Sequence, residues 1–282
     1  MNLHLLNPFG DDHPVAIESR LSHAHTASST IVAYNRRGTL LAAGSSSGTC
    51  FVWDMCTLSI AATLTGHMRE VCSLSWSRSS EFLLTASLDY TCCLWGLADT
   101  RRHVVGFTGP VLSACLQPAV QPLRFAAIVR GQPPYMVERE LSTWRRTALA
   151  LAEHSLAAAI SFAPNGKHLL VATTAGTIAI FDAHTLHFLT QTVVSPNMAV
   201  RQMHFSHNGR WLAVNSNDKT IRLYSALDIQ GLKLTTKYTQ AVDPIEWRQI
   251  AISANEEYIY SGIHRLMQPA PSTADTKFTF GT

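Results

Sequence analysis

Charge is scarce in this 282-residue chain: Asp, Glu, Lys and Arg together make up 15% of it, against 46% hydrophobic residues. Such a composition excludes a disordered chain, which cannot bury enough apolar surface to offset its conformational entropy. The excess of positive charge, +3 from 22 basic and 19 acidic residues, is too small by itself to argue for nucleic-acid binding. Long apolar runs are missing too. None approaches the ~18 residues of a membrane helix, and "MNLHLLNPFGDDHPV" at the start lacks the basic flank of a secretory signal. No association with a membrane is expected. No Asn-x-Ser/Thr sequon and no Cys-x-x-Cys occurs, and cysteine stops at Cys115. Cys50, Cys56, Cys72, Cys92, Cys93 and Cys115 have strand-like apolar neighbours and read as reduced, buried thiols of a cytosolic or nuclear protein.

What the chain does have is repetition. The segments "IVAYNRRGTLLAAGSSSGTCFVWD" (31–54), "VCSLSWSRSSEFLLTASLDYTCCLWG" (71–96), "LAAAISFAPNGKHLLVATTAGTIAIFD" (156–182) and "AVRQMHFSHNGRWLAVNSNDKTIRLYS" (199–225) share one pattern. An apolar strand ends in an aromatic, then come a polar turn, a second apolar strand, a small-residue turn and a third strand ending in another aromatic. Tyr34, Trp76, Phe162 and Phe205 close the first strands, at intervals of 42, 86 and 43 residues. Trp53, Trp95, Phe181 and Tyr224 close the third strands at the same intervals. The double interval hides a divergent unit at 111–144, where Leu116 replaces the first aromatic, and a further unit opens at "EWRQIAISANEEYIYSG" (246–262). Units of this length, built from four short strands, predict an all-β WD40 β-propeller. About five and a half blades are expected: 31–67, 71–107, 111–149, 156–193, 199–236 and a partial one at 246–265, followed by an irregular tail at 266–282. The chain holds one literal Trp-Asp pair, Trp53-Asp54, and one literal Gly-His pair, Gly66-His67.

The second unit carries the residues that most resemble a reactive site. His67 precedes its first strand, Thr85 lies in the second, Asp89 in the turn, and Trp95 in the third. WD40 blades use these positions for a structural tetrad, and the chemistry fits: imidazole N–H to carboxylate, Thr hydroxyl to the other ring nitrogen, indole N–H to the hydroxyl. Thr85 is preferred to Ser87 by position. Cys92 and Cys93 are adjacent on a strand, so they point to opposite faces and cannot ligate one ion together; both read as structural.

Two other motifs resolve the same way. "GSSSG" (44–48) fits the Gly-x-Ser-x-Gly pattern of hydrolases, but that motif needs a strand–turn–helix setting, and Ser46 sits in a hairpin turn. His204 and His207 form a His-x-x-His that reads as surface. No catalytic, cofactor-binding or metal-ligating set emerges, and no small-molecule substrate is expected. The arginine pairs Arg36-Arg37, Arg101-Arg102 and Arg145-Arg146 fall in or near predicted inter-strand loops, where they read as solvated charge or as contacts to phosphate or an acidic partner.

Beyond the generic blade, specific wording resembles the retinoblastoma-binding protein five family, the propeller subunit of COMPASS/MLL histone methyltransferase complexes. The matching blocks are "MNLHLLNPFG", "NRRGTLLAAGSSSG" (35–48), "VCSLSWSR" (71–78), "LLTASLDYTCCLWGL" (83–97), "NDKTIRLYS" (217–225) and "EEYIYSG" (256–262). The resemblance implies a nuclear, non-catalytic scaffold that helps a SET-domain enzyme methylate lysine 4 of histone 3. It implies seven blades and engagement of the nucleosome. It also implies contact with the SET-domain methyltransferase, a SPRY-domain subunit and a second WD40 subunit through a segment after the propeller. The sequence ends in "PAPSTADTKFTFGT", inside the expected sixth blade, so a C-terminally truncated form is expected. The alternative reading is a WD40 platform of another assembly, a ubiquitin-ligase adaptor or an RNA-processing complex.

Overall fold

The computed structural model describes residue 21 and residues 28–267, apart from 100, 119–122, 141–142, 152–154, 240–248, 254–255, 257 and 262–264. Its sheets follow one another along the chain, each an antiparallel meander. The first contains β1 (Ser29–Tyr34), β2 (Leu40–Ser45), β3 (Cys50–Asp54) and β4 (Ser59–Leu64). The second contains β5 (Val71–Trp76), β6 (Phe82–Ser87), β7 (Thr91–Gly96) and β8 (Arg102–Gly106). The divergent unit keeps all four strands: β9 (Val111–Leu116), β10 (Arg124–Val129), β11 (Tyr135–Glu140) and β12 (Thr143–Ala148). Then come β13 (Ala157–Phe162), β14 (His168–Thr173), β15 (Thr177–Asp182) and β16 (Phe188–Val193). The fifth sheet is β17 (Val200–Phe205), β18 (Trp211–Ser216), β19 (Thr220–Ser225) and β20 (Lys233–Thr239). A sixth has three strands, β21 (Ile250–Ile252), β22 (Ile259–Ser261) and β23 (Arg265–Met267). β23 runs two residues into the stretch expected as an irregular tail; the rest of that tail lies outside the described residues.

Burial explains which sequence pattern each strand shows. The second strands are almost wholly buried, as in "LLVAT" of β14, because both faces pack on neighbouring sheets. Fourth strands alternate, as β4 does residue by residue, because one face looks outward. Between consecutive sheets lie separate apolar clusters: Ala42, Val52 and Leu83 join the first two, and Leu84, Leu94 and Phe125 the next two. Phe162, Phe181 and Ile128 follow, then Leu170, Met203 and Tyr224. Of the aromatics that mark the repeat, Trp76, Phe162, Phe181, Phe205 and Tyr224 thus pack in the gaps between blades. Each such cluster is a local core, and burying its members at ~25 cal/mol per Å2 holds the blades in sequence.

The inner strands β1, β5, β9, β13 and β17 each leave one edge unpaired toward the centre. Side chains from the adjoining sheet satisfy part of these edges. Ser73 Oγ donates to Ala114 O (2.9 Å) and accepts from Ala114 N (3.1 Å), Ser75 Oγ accepts from Leu116 N, and Thr30 Oγ1 donates to Val71 O. β21 packs on β17 and β18, and among the described residues no comparable packing joins it to β1. Val32 and Tyr34 on β1 are accordingly more than half exposed. Glycine matters most where the turn between second and third strands passes under the next linker. A Cβ on Gly176 (φ +83°) would stand 1.7 Å from Ser195 O, and one on Gly48 (φ +87°) 2.4 Å from His67 O.

Candidate functional site

The second sheet brings His67, Thr85, Asp89 and Trp95 into one chain of hydrogen bonds. His67 Nδ1 lies 2.9 Å from Asp89 Oδ2, its Nε2 2.7 Å from Thr85 Oγ1, and Trp95 Nε1–H donates to Thr85 Oγ1 at 2.9 Å. The chain is consistent only if Nδ1 carries the proton and the Thr85 hydroxyl donates to Nε2. Three further donors hold Asp89: the Met68 N–H at 2.9 Å, the Thr91 N–H at 3.0 Å and the Thr91 hydroxyl at 2.6 Å. Ser87 is engaged elsewhere, donating to Arg69 O. Thr85 is fully buried and His67 nearly so. Burial pushes the His67 pKa down more than Asp89 lifts it, which keeps the imidazole neutral. At Asp89 burial pushes the other way, but the hydrogen bonds from Thr91, Met68 and His67 prevail and leave the carboxyl below its ordinary range. Every polar atom here is occupied by a neighbour, so the set ties linker, turn and strands together and has no group to offer a substrate.

Sequence reasoning missed a second network in the fifth sheet. Arg222 occupies the strand position that Cys93 holds in the second sheet, two residues before the closing aromatic. Its Nη1 donates to Ser216 Oγ (2.7 Å) and Asp218 Oδ1 (3.1 Å), and its Nη2 to Asp218 Oδ2. Ser195 Oγ also donates to Asp218, at 2.8 Å. Burial raises the Asp218 pKa, yet the bonds from Arg222, Ser195 and Ser216 outweigh it and hold the carboxyl far below its ordinary range. Arg222 is 7% exposed. An arginine within an otherwise apolar strand, four residues after a turn aspartate, was the available signal.

The arginine pairs do not form one patch of free charge. Arg36 and Arg37 are exposed in the β1–β2 turn. Arg101 pairs with Asp99 at 3.2 Å, and Arg102 lies over the Trp95 ring, 5.7 Å from its centroid, donating to Thr65 O. Arg145 and Arg146 lie in the middle of β12 and not in a loop: Arg145 pairs with Glu140, and Arg146 stacks on Phe107 at 5.1 Å. The outermost strand bears solvent on one face, which is why it tolerates charges that resemble loop sequence.

Two sequence expectations need correction. Cys56 is exposed, because Asp54 folds the chain after β3 into a tight turn, accepting from Cys56 N (2.7 Å) and Thr57 N (3.3 Å). His204 is not a surface residue: it lines the central cavity, and its Nδ1 is buried without a hydrogen-bond partner among the described residues. Burial lowers its pKa. His207, in the next turn, is exposed. Ser46 lies in the turn between β2 and β3, followed by strand. Cys92 faces the third sheet, while Cys93 Sγ lies 4.0 Å from His67 Nδ1. Burial pushes the Cys50, Cys72 and Cys115 thiols up to about 12 and Cys93 to about 11. The folded chain should therefore release one equivalent of colour rapidly with an aromatic disulfide reagent, all from Cys56, and six after denaturation. Fast reaction of a Cys56→Ser variant would contradict this.

Among the described residues no group of three or more His, Cys, Asp or Glu could hold a metal ion, and no helix is long and apolar enough to cross a membrane. A cavity of about 550 Å3 runs along the inner strands.

Comparison with known proteins gives concordant results. The WD40 family model (WD domain, G-beta repeat) matches residues 18–54, 58–96 and 188–225. Set1 complex component swd1 of Schizosaccharomyces pombe is 28% identical over 94% of this chain and 69% of its own length. The retinoblastoma-binding protein 5 homolog of Drosophila melanogaster is 30% identical over 94% of this chain, which spans only 55% of that protein. The solved β-propeller domain of Myceliophthora thermophila Cps50 (Swd1) superposes with a TM-score of 0.78 at 32% identity, over 85% of this chain and 82% of that domain.

Proposed function

This chain belongs to the Swd1/retinoblastoma-binding protein 5 family of WD40 propellers, and from that membership we propose that it is a non-catalytic scaffold of a nuclear histone methyltransferase complex. The observation that carries the reading is the 32% identity across 82% of a Swd1 propeller domain, joined to a relative whose name places it in a Set1 complex. The finer reading is that the complex methylates lysine 4 of histone 3, with a SET-domain methyltransferase, a SPRY-domain subunit and a second WD40 subunit as partners. Chromatin is the substrate the whole assembly engages, and the exposed Arg36 and Arg37 are the arginine pair free to meet it; Arg101 and Arg145 are outward but ion-paired. The buried networks support a binding role: they consume the polar side chains that a catalytic site would need.

Affinity purification of the tagged full-length chain from nuclear extract tests the proposal. Co-purification of SET-domain, SPRY-domain and second WD40 proteins is expected. Recovery of none of them, from an extract that contains them all, would overturn it, as would recovery of ubiquitin-ligase or RNA-processing subunits in their place.

A further inference from the structure

The turns that join first to second strands meet at one end of the central cavity. Asn35 Nδ2 in the first turn donates to Ser80 Oγ in the second (3.2 Å). Gln117 Nε2 in the third donates to Gly166 O in the fourth (2.8 Å). A Cβ on Gly209 in the fifth would stand 3.3 Å from Pro164 Cγ in the fourth. The second residue of each turn reaches the cavity: Arg36, Arg78, Pro118, Pro164 and His207 all line it.

These turns concentrate the positive charge of the chain. Across the five complete sheets they carry Arg36, Arg37, Arg78, Lys167 and Arg210 against one carboxylate, Glu81, whereas the whole chain has an excess of only three. No described carboxylate lies within ion-pair distance of Arg36, Arg37 or Arg78, all three exposed. The sixth sheet breaks the pattern with Glu256 in its β21–β22 turn, so the cationic arc is centred on the first two sheets.

Further out at the same end, an aspartate marks the link from third to fourth strand in the first, second, fourth and fifth sheets, that of the second being paired with Arg101. Asp54, Asp99, Asp182 and Asp228 each accept a backbone N–H two residues on, an arrangement that fixes both the turn and the charge. Two strand spacings of ~4.8 Å separate the inner turns from the outer ones, about 10 Å. A broad polyanion lying across the face therefore meets the outer carboxylates; a narrow one at the centre does not. The cavity wall beneath offers something else: the inner edges of β5 and β17, which pair with no other strand among the described residues, along Cys72–Trp76 and Gln202–Phe205.

We propose that this end of the cavity binds an acidic peptide segment in extended form, its carboxylates held by the Arg36–Arg37–Arg78 arc and its backbone by the inner-strand edges. Phosphate compounds and nucleic acid use the cations but have no use for the carbonyl edges, and the acidic outer ring disfavours a duplex. The surface shares Arg36 and Arg37 with the chromatin contact of the scaffold reading above, and the duplex arm of the test separates the two.

Fluorescence anisotropy with the full chain and fluorescein-labelled decaglutamate tests it. Saturable binding is expected, weakened by about tenfold or more in Arg36→Glu/Arg78→Glu, by under about threefold in Arg101→Glu, and steeply by salt. Circular dichroism confirms that each variant is folded; the two substituted residues of the double variant are exposed and make no ion pair among the described residues. Polyacrylate of matched charge, which has carboxylates but no peptide backbone, should compete about tenfold less well. Equal competition by polyacrylate overturns the peptide assignment, equal loss in Arg101→Glu overturns the location, and tighter binding of a twenty-base-pair duplex overturns the ligand class.

Discussion

Substituting His67 with alanine is expected to destabilise the chain by about 3 kcal/mol, a large part of the 5–15 kcal/mol typical of a domain. The imidazole is the middle of the network, so its removal takes a strong hydrogen bond from each partner. Asp89 loses its ring N–H donor, Thr85 loses the acceptor for its hydroxyl, and the ring leaves a void beside the Trp95 indole. Unsatisfied buried groups cost ~1–3 kcal/mol each, and the cavity adds to this. Urea unfolding followed by tryptophan fluorescence measures the loss, and a change below about 1 kcal/mol would contradict a structural role. Asp89→Asn should cost less, because an amide oxygen still accepts from the ring.

The same network sets a pH dependence. His67 has a lowered pKa in the folded chain, so the unfolded chain takes up the proton first as pH falls through its ordinary value of 6.5. Asp89 is lowered from 3.8, so again the unfolded chain binds the proton first. Both groups make stability rise with pH. Their contributions are complete above about pH 7 and are lost in two stages on acidification, below 6.5 for the imidazole and below 3.8 for the carboxylate. In His67→Ala the first stage should shrink.

Asp218→Ala is expected to cost about 3–5 kcal/mol, because it leaves the Arg222 guanidinium buried with no counter-charge. Removing both charges is gentler. Asp218→Ala/Arg222→Leu should recover most of the loss, since a leucine suits the apolar gap between the fourth and fifth sheets where Leu170, Met203 and Tyr224 pack. Equal unfolding midpoints for the single and double variants would mean that the ion pair is not coupled. Acidification acts in the same sense as at Asp89: stability held by the depressed Asp218 carboxyl is present above 3.8 and falls as pH drops below it.

The two networks mark where the sequence was readable and where it was not. The tetrad could be located by position because Gly66-His67, Asp89 and Trp95 keep the spacing of a common blade, with each residue type suited to one bond. The fifth sheet offered Asp218 and Tyr224 at the matching places, but Val214 stands where Thr85 would, and Pro196 where His67 would. A position-by-position reading finds a degraded tetrad there. The fold instead fills the space from a different residue, Arg222, reaching across the strand to the same turn. Cys56 and His204 failed for related reasons. Neighbouring apolar residues describe a strand, but whether the chain has just turned outward, or faces a central cavity, depends on contacts far away in sequence.

The strands of the regular units and the order of the sheets were determined by the sequence alone, whereas the tertiary structure decided that the divergent third unit keeps four strands. Aromatics recurring at intervals of 42 and 43 residues can be buried together only if successive units stack face to face. The tertiary structure decided which charges are spent and which are free. Arg101, Arg102, Arg145 and Arg146 read like Arg36 and Arg37 in one dimension, yet each is held by an acid or an aromatic ring from its own or a neighbouring strand. Arg78, a single arginine in a serine-rich turn, joins Arg36 at the cavity because inner strands converge there while their sequences lie 42 residues apart. Charge falls off with distance through space, and only the folded chain sets that distance.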